Sequence, residues 1–143
     1  MNRNEMKIEF GSDPRNESFA RVVVASFMTR TNPTLEEVAD VKTAVSEAVT
    51  NSIIHGYGQK EGTIEIRAYI EERKLYIEIT DYGCGIEDVE KAMEPMFTTG
   101  KDGRSGMGFS FMEAFMDELT VESEPGKGTT VKMAKKIGAG GAV

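Results

Sequence analysis

Two stretches of strict alternation, separated by a short gap, constrain this chain more than any other feature. Ile64, Ile66, Ala68 and Ile70 alternate with Glu65, Arg67, Tyr69 and Glu71; beyond Glu72-Arg73, Leu75, Ile77 and Ile79 alternate with Tyr76, Glu78 and Thr80. Successive side chains of a strand point to opposite faces, so a period of two predicts an antiparallel hairpin with one dry and one wet face. Leu119–Glu124 and Thr129–Lys135 repeat the pattern around a turn at Pro125-Gly126-Lys127-Gly128, and Met6–Phe10 is a further strand candidate. That much half-dry sheet needs an apolar cover.

Helical periodicity supplies the cover. Asn16 is placed to cap a helix reaching about Arg30, with Phe19, Val22, Val23 and Phe27 expected on its buried side. Asn32-Pro33 breaks it, and Thr34 opens a second helix through a capping box in which Glu37 reaches back to the cap. Leu35, Val38, Val41, Val45 and Ala48 keep the period until Gly56 and Gly58 stop it. A short helix is expected around Glu87–Met93, an irregular stretch over 95–108, and a last helix over Phe109–Asp117. The fold class is therefore α+β: a two-layer sandwich of one mixed, mostly antiparallel sheet with helices packed on one face. Glu65, Arg67, Glu78, Glu122 and Lys132 mark the other face, which should be wet or covered by a partner. The 143 residues fit one domain over 1–137, and the glycine-rich 138–143 is expected to be a flexible tail.

Bulk properties exclude several classes. No apolar run approaches the length of a membrane span, and residues 1–7 lack the apolar stretch of a secretory signal. A net charge of −7 argues against nucleic acid as a direct partner. The single cysteine, Cys84, fits a reducing cytoplasm and is expected to fill a small slot between glycines. The single histidine, His55, sits where a helix ends, a position that suits a local capping role better than catalysis.

The chemistry is concentrated in four short segments: Glu47-x-x-x-Asn51, Asp81-x-Gly83-x-Gly85, Gly106-x-Gly108 and Gly126-x-Gly128-Thr129. None completes a dinucleotide fingerprint, and Asp102 occupies the place where a P-loop would require Ser or Thr. Singly, each glycine segment is more often a turn, Glu47 a solvated helix residue and Asp81 a turn former. As an ordered set they have a common use. Glu47 and Asn51, at i and i+4, share a helix face. A carboxamide oxygen suits Mg²⁺ that already holds phosphate oxygens, and a neighbouring carboxylate can take a proton from a nucleophile aimed at a γ-phosphate. Asp81 is an acceptor for the exocyclic amine of adenine, with Gly83 and Gly85 letting the backbone approach the base. Gly106 and Gly108 open a helix whose free N–H groups can hold phosphates.

This series resembles the ATP-binding domain shared by gyrase, the large heat-shock chaperones, sensor histidine kinases and mismatch-repair ATPases, from about Val41 to Val131. Clamps and chaperones use further domains and sensor kinases use dimerisation helices, and neither is expected within these 143 residues. The segments NESFARVVVASF (16–27), SEAVTNSIIHGY (46–57), MFTT (96–99), RSGMGF (104–109), MDE (116–118), VESE (121–124) and KGTTV (127–131) are instead similar to the bacterial serine-protein-kinase anti-sigma factors, over about residues 4–136. The resemblance implies a histidine-kinase-like ATPase fold, a homodimer, and ATP with Mg²⁺. It implies inhibition of a sporulation sigma factor, and phosphorylation of a serine on an anti-anti-sigma protein.

It also implies residue roles: Glu47 activates the substrate serine, Asn51 coordinates Mg²⁺, and Asp81 with Thr129 recognises adenine. Thr98, Thr99, Gly106, Met107 and Gly108 fall in its nucleotide-holding segments. Arg104 matches a basic residue near the γ-phosphate, where a guanidinium can stabilise transferring charge. Arg21 matches a residue that contacts both protein partners, and Thr50, beside the site, is a weaker candidate for the same contact. The segment Gly100-Lys101-Asp102-Gly103 is shorter and richer in glycine than the family pattern, leaving the role of Lys101 open. Two alternatives stand beside the kinase: an ATP-gated anti-sigma binding module with little kinase activity, and the related anti-sigma kinase of a stress-response sigma factor.

Overall fold

The computed structural model describes residues 3–58, 60–93 and 105–138. Along the chain run β1 (Asn4–Gly11), α1 (Asn16–Met28), α2 (Leu35–Asn51), β2 (Thr63–Glu71), β3 (Lys74–Asp81), α3 (Val89–Ala92), α4 (Ser105–Phe115), β4 (Glu118–Glu124) and β5 (Gly128–Lys136). The five strands form one sheet in the order β1-β2-β3-β5-β4. The sequence allowed a mixed sheet; every pairing among the described residues is antiparallel.

The dry face is the one the alternation predicts. Ile64, Ile66, Ala68, Leu75, Ile77, Ile79, Val131 and Met133 are buried against Val41, Ala44, Val45, Ala48 and Val49 of α2, with Met112 of α4. Those α2 positions recur at helical spacing, so one stripe faces the sheet. On the other face Tyr69 and Tyr76 stack with ring centroids 4.4 Å apart, while Lys132 and Glu122 pair at 3.3 Å.

The expected cap of α2 is present: the Glu37 N–H donates to Thr34 Oγ1 at 3.1 Å and the Thr34 N–H to Glu37 Oε1 at 2.8 Å. The same Glu37 carboxylate also accepts the Gly138 N–H, at 3.0 Å to Oε2, tying the start of α2 to the far end of the domain. These three bonds hold its carboxyl below the ordinary value of 4.5, although burial alone acts in the opposite direction.

Three expectations need correction. Asn16 does not cap α1: the N-cap is Arg15, and the Asn16 side-chain amide donates to the Gly11 carbonyl at 2.9 Å. The buried stripe of α1 is Ala20, Val24 and Met28, whereas Phe19 is 49% and Val22 61% exposed. Both stripes have helical spacing; the small Ala20 and Val24 let α1 lie close to α2, which turns the bulkier pair outward. Leu35, in the first turn of α2, is likewise outside the core at 89% exposure.

The β2–β3 turn uses Glu72 and Arg73, both left-handed at φ 50° and 66°. Such a turn normally takes Asn-Gly. Here tertiary bonds hold it: the Arg73 carbonyl accepts the Ile137 N–H at 2.8 Å, and Arg73 Nη2 donates to the Thr31 carbonyl at 3.0 Å. Among the described residues no helix is long and apolar enough to cross a membrane.

Candidate nucleotide site

At the end of α2 the chain does not simply stop at its glycines. After Asn51 it widens into one π turn, Ser52–Gly56, closed by the Tyr57 N–H donating to the Ser52 carbonyl at 2.9 Å. A π turn inside or at the end of an α-helix is a recurrent feature of functional sites. This one buries Ser52 and brings Gly56 against the corner that follows β3.

That corner is Asp81–Gly85. Asp81, the last residue of β3, is only 3% exposed. Its Oδ1 accepts the Gly83 N–H at 3.0 Å, and the Ser52 hydroxyl and Thr129 N–H also favour the carboxylate, yet burial dominates and pushes its pKa above the ordinary 3.8. Thr129 is its register partner on β5. The glycines are there for close approach. A β-carbon on Gly83 would stand 2.0 Å from the Gly56 carbonyl oxygen; one on Gly85, at φ +76°, would stand 2.2 Å from the Glu124 carbonyl oxygen. The Cys84 N–H donates to the Gly56 carbonyl at 2.8 Å.

Over this corner opens a cleft of about 650 Å³, lined by Asn51, His55, Cys84, Gly85, Ile86, Glu87, Asp88, Lys91, Ala92 and Phe109. The volume is that of a small-molecule site. Two separated predictions meet in it, because α4 enters beside the end of α2: a β-carbon on Gly108 would lie 3.0 Å from Asn51 Nδ2. The α4 backbone begins at Ser105, so Gly106 and Met107 lie in its first turn, as expected for a helix that presents free N–H groups. Asn51 and Gly85 face the cleft directly. Asp81 and Thr129 are buried in the corner that carries Cys84 and Gly85 and are not themselves among the described lining residues. Glu47 and Thr50 are half-buried on α2, and neither is among the described lining residues.

Arg21 belongs to another surface. On α1 its Nε stands 3.1 Å from Glu17 Oε2, and Nη2 donates to Ser18 Oγ at 3.2 Å. The Arg21–Glu17 approach is an i, i+4 ion pair between two buried atoms. Thr98, Thr99, Lys101 and Arg104 lie outside the described residues.

Sequence reasoning missed several members. Cys84 is exposed rather than slotted between glycines, and its Sγ donates to the His55 carbonyl at 3.1 Å. Ser123 Oγ accepts the Ile86 N–H at 2.7 Å and stands 2.8 Å from Thr129 Oγ1, joining the corner to the β4–β5 hairpin. Ser123 and Ser52 lie inside segments similar to the anti-sigma factors, but no spacing singles them out, since each acts through contacts made only by folding.

A buried carboxylate acceptor, a glycine corner and a helix N-terminus around a half-buried carboxamide suit a nucleoside triphosphate. Among the described residues no group of three His, Cys, Asp or Glu side chains could hold a metal alone. The Asn51 carboxamide at the cleft wall has the oxygen chemistry to join a cation whose other ligands come with phosphates and water.

Comparison with known proteins gives the class. A family model described as histidine kinase-like ATPase domain matches residues 10–135, so the chain belongs to that ATPase family, and membership implies ATP binding. Anti-sigma F factors from Thermoanaerobacter sp. strain X514 and Caldanaerobacter subterraneus subsp. tengcongensis are 60% and 61% identical to it. They align over 95% and 94% of this chain and 96% and 95% of their own. The anti-sigma F factor of Clostridium acetobutylicum is 59% identical over 96% of both chains. Within the ATPase family, the chain therefore belongs with the anti-sigma F factors.

Solved structures agree on the fold. The RsbU and RsbW domains of Rv1364c from Mycobacterium tuberculosis superpose with a TM-score of 0.67 at 17% identity, covering 94% of this chain and 32% of that one. The mycobacterial sensor histidine kinase MprB gives 0.57 at 16%, covering 92% and 97%.

Proposed function

We propose that this protein is an ATP-dependent anti-sigma factor of sporulation and a serine kinase: it holds the sigma factor sigma-F inactive and phosphorylates a serine of that factor's protein antagonist. The sigma-factor half is supported by the names of its relatives at about 60% identity. The kinase half rests on one observation, the placement of Asn51 in the cleft against α4 with Glu47 one turn earlier on the same helix.

In the proposed reaction the antagonist's serine hydroxyl attacks the γ-phosphorus while its proton passes to the Glu47 carboxylate. The new serine O–P bond forms as the bond to the β-γ bridging oxygen breaks, and ADP leaves. Asn51 is the residue to hold Mg²⁺, which supplies charge neutralisation at the phosphates when bound. Asp81, with Thr129 beside it, takes the adenine amine, and the first turn of α4 takes phosphate oxygens through Gly106, Met107 and Gly108. Thr98, Thr99 and Arg104 belong to the same proposal by resemblance alone. Arg21 on α1, its side chain 39% exposed, is the proposed contact for both protein partners; Thr50 is a weaker second. A homodimer has exposed apolar groups to cover in Phe19 and Val22. A cytoplasmic location goes with these partners.

The second reading, an ATP-gated binding module with little kinase activity, draws on Glu47 not being among the described lining residues. Incubation with labelled ATP, Mg²⁺ and the antagonist separates the two: phosphoserine on the antagonist is expected, and its absence removes the kinase half. Capture of the sigma factor from a lysate with ATP, repeated with ADP, is expected to yield the sporulation factor. A stress-response sigma factor in its place would move the protein to the other pathway.

A further inference from the structure

The ladder between β2 and β3 ends at the pair Ile64↔Asp81. One step further out lie Thr63 and Tyr82, and a side chain replaces the missing rung. The Tyr57 phenol donates to the Thr63 carbonyl and accepts the Tyr82 N–H at 2.8 Å. Tyr57 is the first residue after the π turn, and its ring lies on the backbone of Gly62, where a β-carbon would stand 2.3 Å from a ring carbon. The ring is thus seated by shape and the oxygen by two backbone groups.

We propose that Tyr57 is a positioning residue for base selection: by fixing the peptide that follows Asp81, it aims that carboxylate at the 6-amino group of adenine. The inference rests on the proposed adenine role of Asp81. Two features make the Tyr82 peptide the one that matters. The Asp81 carboxylate is bonded to the Gly83 N–H at 3.0 Å, besides Ser52 and Thr129, so one of the bonds that set its direction depends on how the chain turns between residues 81 and 83. Beyond that turn the backbone is already held, by the Cys84 N–H on the Gly56 carbonyl. The Tyr82 N–H lies between these two bonds, and the Tyr57 oxygen is its partner. An acceptor site that fits one exocyclic amine discriminates through geometry, and a displaced acceptor loses that discrimination while the phosphate contacts are untouched.

Tyr57→Phe tests this because it keeps the ring on Gly62 and removes only the oxygen. Binding is measured by calorimetry with two probes: ATP, and purine-riboside triphosphate, which lacks the 6-amino group. The wild-type protein should prefer ATP by on the order of tenfold or more, and Tyr57→Phe should weaken ATP binding about tenfold while changing the second probe less than about twofold. A Tyr57→Phe protein that keeps the full preference overturns the inference and leaves the adenine reading standing. Equal weakening of both probes also overturns it, since a merely structural loss does not distinguish the bases. A wild-type protein with no preference removes the adenine role of Asp81, and this inference with it. Gly62→Ala reaches the same phenol independently, by driving a β-carbon into its ring. It should lower the ATP preference in the same direction, and an unchanged preference there counts against the inference equally.

Discussion

The two ends of the candidate nucleotide site are built in opposite ways. Glu47 and Asn51 sit on a single helix, four residues apart, half-buried, and any α-helix through them would put them on one face. Asp81 is set by three distant segments: the π turn after α2, the end of β3 and its partner Thr129 on β5. The first end owes its shared face to local sequence, although Asn51 also packs closely against Gly108 of α4. The second exists only when the sheet and the end of α2 are in register, and its glycines leave no room for adjustment.

The sharpest way to break this contrast is to substitute on the helical end without disturbing the fold. Glu47→Gln should reduce phosphoryl transfer to the antagonist by about 10²–10⁴, the usual worth of a general base. Its unfolding free energy should change by about 1 kcal/mol or less, the ordinary cost of a single substitution. A large loss of stability in urea would show that this end is also built by tertiary contacts.

The converse substitution is Gly83→Ala. A β-carbon there meets the Gly56 carbonyl oxygen at 2.0 Å, so the corner or the π turn has to move. A stability loss of about 1–3 kcal/mol is expected by thermal unfolding, together with weaker ATP binding. Full stability with full ATP affinity would show the corner to be as forgiving as α2.

The smallest effect is electrostatic. Burial raises the Asp81 carboxyl above 3.8, so the folded protein holds that proton more tightly than the unfolded chain does. The stability this adds is fully present below the unfolded value and is lost as pH rises through the raised one. Asp81→Asn should therefore flatten that part of a plot of urea midpoint against pH. An unchanged slope would assign the titration to another carboxylate.

The same contrast explains what could be read in advance. The Thr34–Glu37 capping box, the Glu47/Asn51 pair and the dry faces of β2 and β3 are local patterns, and each is where the sequence places it. The orientation of α1 was not legible, because the Phe19/Val22 and Ala20/Val24 stripes have the same periodicity; only the neighbouring helix decides which is inside. No spacing singles out Tyr57, Ser52 or Ser123. Tyr57 reaches 25 residues along the chain to Tyr82, and a phenol spanning that distance looks in sequence like any aromatic near a turn. Glu72-Arg73 conceals its left-handed turn for the same reason, since the groups that hold it come from Thr31 and Ile137.

The strand order carries a consequence for how the protein is made. β5, the last strand in sequence, is an interior strand of the sheet, between β3 and β4. The bond from Gly138 to Glu37 closes a loop across 101 residues. On the ribosome, β1, β2 and β3 can pair as they emerge, but β3 keeps an open edge until β5 has left the exit tunnel. Thr129 reaches Asp81 no sooner. Long-range closure of this kind is slow and leaves a hydrogen-bonding edge exposed meanwhile. The nascent chain should therefore gain ATP affinity only once β5 has paired, and until then β3 is the edge a chaperone would have to shield.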